Sequence, residues 1–218
     1  MSTIRFSDSG DVVEIGKVVA IGANYTDHIR EMGLDPPAAP MVFLKPATSV
    51  IHPGTPIVHP DFSRLMHHEV ELGLVVGRTC AGLEADEAGD AIAGYFLALD
   101  MTLRDLQAEA RRKGEPWSVA KGFDGACPIS DALTLDDPER LRGLSLTLAV
   151  NGEIRQDSTT ANMIWTPEEL VAIVSRFFTL ERGDLILTGT PAGVGAVKRG
   201  DVIGARLGDE FSFTFEVV

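Results

Sequence analysis

Cysteine is scarce in this 218-residue chain: Cys80 and Cys127 lie far apart and form no CxxC pair. That excludes a zinc ribbon, a thioredoxin-type motif and a disulfide framework, and it fits a reducing cytosol. Basic residues are also few, 19 Lys and Arg against 32 Asp and Glu, for a formal net charge of -13. Nucleic acid and anionic membrane surfaces both call for basic patches, so neither is expected as a partner. No apolar run is long enough to cross a bilayer, and low-complexity tracts and internal repeats are missing. The opening segment has no signal-peptide core, and Asp8, Asp11 and Glu14 do not suit an acid-poor transit peptide. A soluble, cytoplasmic protein whose partners are small molecules or other proteins is the expectation. Neither a G-x-G-x-x-G nor a Walker loop is present.

What the chain does contain is a succession of short apolar runs broken by Gly and Pro. Val18–Ile21, Met41–Leu44, Leu72–Val76 and Leu185–Leu187 read as strands. Strict alternation over Leu144–Val150 and Phe211–Val217 marks strands with one buried face, and Asn151-Gly152 predicts a type I′ hairpin into Glu153–Arg155. Thr166-Pro167-Glu168-Glu169 predicts a capped helix start. Further helices are expected over Met101–Lys113, stopped by Gly114, and over Glu84–Tyr95. Strand runs without a βαβ rhythm imply an α+β fold with antiparallel pairing, in a single domain spanning 1–218.

The sharpest chemical signal is Glu69-Val70-Glu71, because acids at i and i+2 of a strand project from one face of the pleat. The run Leu72–Val76 that follows is apolar, so bare charge there is costly to bury and a cation would resolve the conflict. Oxygen ligands without nearby cysteine favour Mg2+ or Mn2+ over zinc or copper. A solvent-facing strand edge is the alternative for these acids. His67 is in phase with them and His68 is not; both are read as non-ligands, and His52 and His59, each beside a proline, as loop residues.

Asn24–Gly33 reads as a short helix capped by Asn24 or Thr26 and ended by Gly33, placing His28 and Glu31 on one face. A carboxylate beside an imidazole orients it and suits a general base; an ordinary exposed pair is the alternative. Asp100 precedes a helix, where a cap would explain it without a metal. The glycine-rich Thr188–Gly195 can present backbone amides to an anion, or be a plain tight loop. Lys121 is either a surface lysine or a cation for an enolate oxygen.

Taken in order, Gly22–Tyr25 with His28 and Glu31, Phe43–Pro46, His68–Leu72, Leu99-Asp100 with Arg104, Asp105 and Gln107, Lys121–Asp124 and Thr188–Gly195 resemble the fumarylacetoacetate hydrolase family. The likeness is nearly full length and is nearest to the short, single-domain acylpyruvate hydrolase branch. It implies a mixed β-sandwich or roll, usually a homodimer, with 1–16 as a lead-in and 24–33 as a lid helix closing on substrate. It implies Mg2+ or Mn2+ held by Glu69, Glu71 and Asp100, catalysis by His28, Glu31 and Lys121, and substrate contacts from Arg104, Gln107 and Thr190, with Lys45 flanking.

Hydrolysis of an acylpyruvate to pyruvate and a carboxylic acid is the activity that this resemblance favours, with His28 and Glu31 activating water and Lys121 stabilising the pyruvate enolate. The same site could tautomerise or decarboxylate oxaloacetate, which needs no hydrolytic water. A non-catalytic 2-oxo-acid or metal binder on the same fold ranks third.

Overall fold

The structure is a computed structural model describing every residue except Met32, Leu34 and Pro36. A hairpin of β1 (Thr3–Arg5) and β2 (Val12–Glu14) leads into β3 (Lys17–Gly22), α1 (Thr26–Glu31), β4 (Met41–Pro46) and β5 (Val50–Ile51). Then come β6 (Met66–His68), β7 (Val70–Val76), α2 (Ala85–Ala88), β8 (Ile92–Leu99) and β9 (Thr102–Leu103). Two helices, α3 (Arg104–Lys113) and α4 (Ser118–Lys121), precede β10 (Cys127–Thr134), β11 (Ser145–Val150) and β12 (Glu153–Thr159). The chain closes with α5 (Pro167–Phe177), β13 (Leu185–Leu187), β14 (Gly195–Val197), β15 (Val202–Leu207) and β16 (Phe211–Glu216).

Seven strands form the central sheet in the order β4-β3-β13-β7-β8-β10-β5. A second sheet runs β12-β11-β15-β16, and a small third runs β14-β6-β9. Within these sheets only β13 with β3 and β10 with β5 pair in parallel, giving the mixed α+β architecture expected. Both faces of the central sheet are covered. Leu72, Leu97, Leu146, Ile203 and Phe213 belong to the core between the two larger sheets, while Ile4, Phe6, Phe96, Ile129 and Leu187 pack on the side of the β1–β2 hairpin. Every residue of β7 is therefore buried, whereas β16 alternates buried and exposed because one of its faces is wet. Among the described residues, no helix is long and apolar enough to cross a membrane.

Burial on both faces also explains a correction. The helix expected over Glu84–Tyr95 is only α2 plus one tight turn over Gly89–Ala91, after which β8 begins at Ile92. A strand enclosed on both sides has no two-residue period, so its pairing with β7 and β10 decides the conformation. The helix expected from Met101 starts instead at Arg104, because β9 pairs with β6 before it. Its end is as predicted: Gly114 is left-handed at φ 72° and donates to the carbonyls of Ala110 and Arg111. Asn151 and Gly152 both have positive φ, as a type I′ turn requires. Thr166 and Glu169 form the reciprocal capping box at 3.3 and 2.7 Å.

Gly73 lies opposite Phe96, and a Cβ added there would stand 2.3 Å from the buried phenyl ring. Gly73→Ala is expected to lower the unfolding free energy in urea by about 1–3 kcal/mol. The same substitution in a Phe96→Leu background should cost less, because the ring that it strikes is gone.

Candidate active site

The acid pair is built on a break rather than on one continuous strand. The chain leaves β6 at His68 and enters β7 at Val70, and the two strands belong to different sheets, so Glu69 occupies the switch point. Glu71 follows inside β7. Asp100 stands just past β8, its N–H donating to the Glu69 carbonyl at 2.8 Å. It caps no helix, since α3 begins four residues later after Leu103; that alternative for Asp100 is overturned. Each of the three side chains offers a carboxylate oxygen within 4.8 Å of the others, and all three residues are at most 5% exposed.

Three cations compensate this charge unevenly. Lys121 Nζ donates to Glu69 Oε2 at 2.8 Å, Asp100 Oδ2 at 2.6 Å and Thr102 Oγ1 at 2.6 Å. Those bonds use all three of its protons, so Lys121 must release one partner before donating to a substrate oxygen. Arg104 pairs with Glu69 and also donates to Gln107 Oε1 at 2.6 Å. Burial pushes the Glu69 carboxyl up, but Lys121 and Arg104 outweigh it and hold it down to about 2. Glu71 has no ion-pair partner among the described residues; its one hydrogen bond comes from Gly189 N–H at 2.7 Å. Burial, with the charges of Asp100 and Glu69, pushes its carboxyl well above the usual range. A buried carboxylate without a counter-ion, next to two other acids, fits a divalent cation bound by hard oxygen ligands.

Lys45, expected to flank the site, does so from behind the acids and does not line the cavity. It lies behind the acids at 1% exposure, with Nζ 2.6 Å from Asp100 Oδ1 and bonded to the carbonyls of Lys121 and Ala126. Lys45 shares a face of β4 with Met41 and Phe43, which line the cavity, but its ammonium is enclosed by the carbonyls of Lys121 and Ala126 beneath the acids.

His28 Nδ1 is 3.2 Å from Glu31 Oε2, and Glu31 also accepts from Gly193 N–H at 3.1 Å. The glycine-rich segment thus does cradle carboxylates, and they are the protein's own: Gly189 holds Glu71 and Gly193 holds Glu31. Both glycines are left-handed, at φ 97° and 93°, and a Cβ on Gly193 would meet the Arg155 carbonyl at 2.0 Å. Asn24 does not cap α1; its amide bonds the backbone of Trp165 and Thr188, pinning the approach to the helix. Gly33 closes the turn at φ 63°, while Met32, inside the expected 24–33 segment, lies outside the described residues.

The sequence gives no sign of Gln156, yet this fully buried residue holds the strand break together. Its Oε1 accepts from Val70 N–H at 3.1 Å and lies 3.0 Å from His68 Nδ1, while Nε2 donates to Thr190 Oγ1 at 2.8 Å and the Pro191 carbonyl at 3.0 Å. Thr190 in turn donates to the Val70 carbonyl at 2.9 Å. Gln156 is the one buried residue of β12, whose other residues are polar or exposed, so no local pattern marks it. His28, the three acids, Arg104, Gln107, Lys121 and Thr190 all open on one cavity of about 540 Å³, with Phe43 and Trp117 on its apolar wall. His67 and His68 stand outside the acid cluster.

The sequence profile of the fumarylacetoacetate (FAA) hydrolase C-terminal family matches residues 17–217. This chain belongs to the fumarylacetoacetate hydrolase family. It is 45% identical to the human mitochondrial oxaloacetate tautomerase FAHD1 over 208 residues, covering 94% of this chain and 93% of that protein. It is 47% identical to a mitochondrial oxaloacetate decarboxylase of Dictyostelium discoideum over 188 residues, 86% of each. Among solved structures, fumarylpyruvate hydrolase from Pseudomonas aeruginosa, in complex with Mn2+ and pyruvate, superposes with a TM-score of 0.94 at 35% identity, covering 99% of this chain and 95% of that one. The fumarylacetoacetate hydrolase fold seen here is thus shared along nearly the whole chain.

Lys45→Met should lower the unfolding free energy by about 3–5 kcal/mol in urea titration, because it removes one of the two lysines that face Asp100 at 2.6 Å and leaves Asp100 Oδ1 buried without a cation. A Lys45 that merely contacted substrate would leave that free energy unchanged.

Proposed function

We propose that the protein is an oxaloacetate keto–enol tautomerase that depends on Mg2+ or Mn2+, held by Glu69, Glu71 and Asp100. The supporting observation is one cavity in which a buried acid triad faces the His28–Glu31 pair, in a chain that matches a named oxaloacetate tautomerase almost end to end. This reverses the order expected from sequence, where acylpyruvate hydrolysis came first.

When bound, the divalent ion supplies a Lewis acid that draws electron density from the 2-oxo acid head. The chain's residues do the rest. Glu31 accepts from His28 Nδ1, which puts the proton there and leaves the Nε2 lone pair as the base. His28 then removes a C3 proton from the keto form, and the returning proton goes to the oxygen on C2, so the exchange is balanced without water. Gly193 fixes Glu31 and thereby the orientation of the imidazole. Arg104, paired with Glu69 and bonded to Gln107, would receive a substrate carboxylate beside the acids. Charge also suits a dianion: the three acids are offset by Lys45, Lys121 and Arg104, so the ion's two positive charges are left for the substrate.

Acylpyruvate hydrolysis is the second reading. It is favoured by the cavity of about 540 Å³, which has room for more than a four-carbon acid, and by the likeness to the Pseudomonas hydrolase. In that case His28 activates water instead of a C–H bond.

In an assay following oxaloacetate enol absorbance alongside pyruvate and CO2, the purified protein with Mg2+ should accelerate enol–keto exchange without matching product release. EDTA should abolish the acceleration. His28→Asn should slow it by about 10²- to 10⁴-fold, the usual contribution of a positioned base. Pyruvate plus an acid from fumarylpyruvate, with no exchange on oxaloacetate, would move the assignment to the hydrolase.

A further inference from the structure

We infer that Arg111 and Arg112 form an anchor for the distal carboxylate of the substrate, and so select 2-oxo dioates over 2-oxo monoacids. This rests on the proposed action upon a 2-oxo acid whose head lies at the acid triad. One face of α3 runs up the cavity wall: Arg104, Gln107, Ala108, Arg111 and Arg112 all line it, at the i, i+3, i+4, i+7, i+8 spacing of a helix stripe. Its lower end is committed to the acids, since Arg104 is paired with Glu69 and bonded to Gln107. Its upper end is not. Arg111 and Arg112 are exposed at the mouth and have no ion-pair partner among the described residues, whereas Lys113 beside them is paired with Glu109 at 2.7 Å.

Seven residues of helix place Arg111 about 10 Å above Arg104 along the axis, within the reach of a long side chain bending back over the cavity. A dioate held by its head at the acids points its other end along this stripe. The guanidinium fork matches a carboxylate in two parallel hydrogen bonds. Basic residues in the last turn of a helix also complement its dipole, and that alone would account for their presence. The dipole does not account for the wall position that these two share with Arg104 and Gln107. In a chain of net charge -13, two uncommitted guanidinium groups at the mouth also offset the repulsion that a dianion meets on approach.

The test compares two probes on the Mg2+-loaded protein, pyruvate (the head alone) and 2-oxoglutarate (the head plus a distal carboxylate), each measured as a competitive inhibitor of oxaloacetate enol exchange. The wild type should favour 2-oxoglutarate, and Arg111→Gln/Arg112→Gln should erase that preference, about tenfold or more in the ratio of inhibition constants. Arg111→Lys/Arg112→Lys should keep part of it, because the charge stays and the fork is lost. An unchanged ratio, or an equal loss for both probes, overturns the anchor while leaving the tautomerase reading in place. Absence of exchange on oxaloacetate in the wild type overturns that reading and the anchor with it.

Discussion

Mutual repulsion among Glu69, Glu71 and Asp100 is the constraint on which the rest of the site depends. Burying like charges this close is unfavourable unless cations face them, and the surrounding elements are arranged to bring those cations in. β4 sends Lys45 under Asp100, α3 turns Arg104 onto Glu69, and α4 delivers Lys121 between Glu69 and Asp100. Glu71 alone receives only an amide, from Gly189. That asymmetry distinguishes a site prepared for a further cation from a closed structural ion cluster.

The fold supplies the geometry through a discontinuity. Glu69 reaches the acids because β6 and β7 belong to different sheets, and the ladder interrupted there is repaired by a side chain rather than by backbone. Gln156, reaching in from the second sheet, satisfies Val70 and connects it through Thr190 and Pro191 to the glycine-rich segment. The same segment holds Glu31 through Gly193 and Glu71 through Gly189, so the His28–Glu31 pair and the acid triad are positioned by one loop. Displacing that loop would disturb both groups at once.

Features governed by local chemistry could be read directly from the sequence. The capping box at Thr166, the positive-φ turn at Asn151-Gly152 and the helix stop at Gly114 depend on neighbours within a few residues, and each appears as expected. Features governed by distant neighbours could not. The first residues of β8, Ile92–Tyr95, read as the end of a helix because burial on both faces erases the alternation of a strand. Asp100 was compatible with a helix cap until β9 pushed the start of α3 to Arg104. Lys45 and Lys121 are both lysines in short apolar contexts, and nothing local says that one lies beneath the acids and the other among them. Gln156 belongs to no motif, and its four contacts all come from residues at least 34 positions away.

The account's central claim is that the buried acids exist to hold a divalent ion that prepares the cavity for an anionic substrate. Calorimetric titration of Mn2+ into the EDTA-stripped protein tests it most directly. The account predicts one ion per chain in the wild type and loss of that binding in Glu71→Gln, with the variant's far-UV spectrum unchanged. No binding by the wild type, or equal binding by Glu71→Gln, would contradict it.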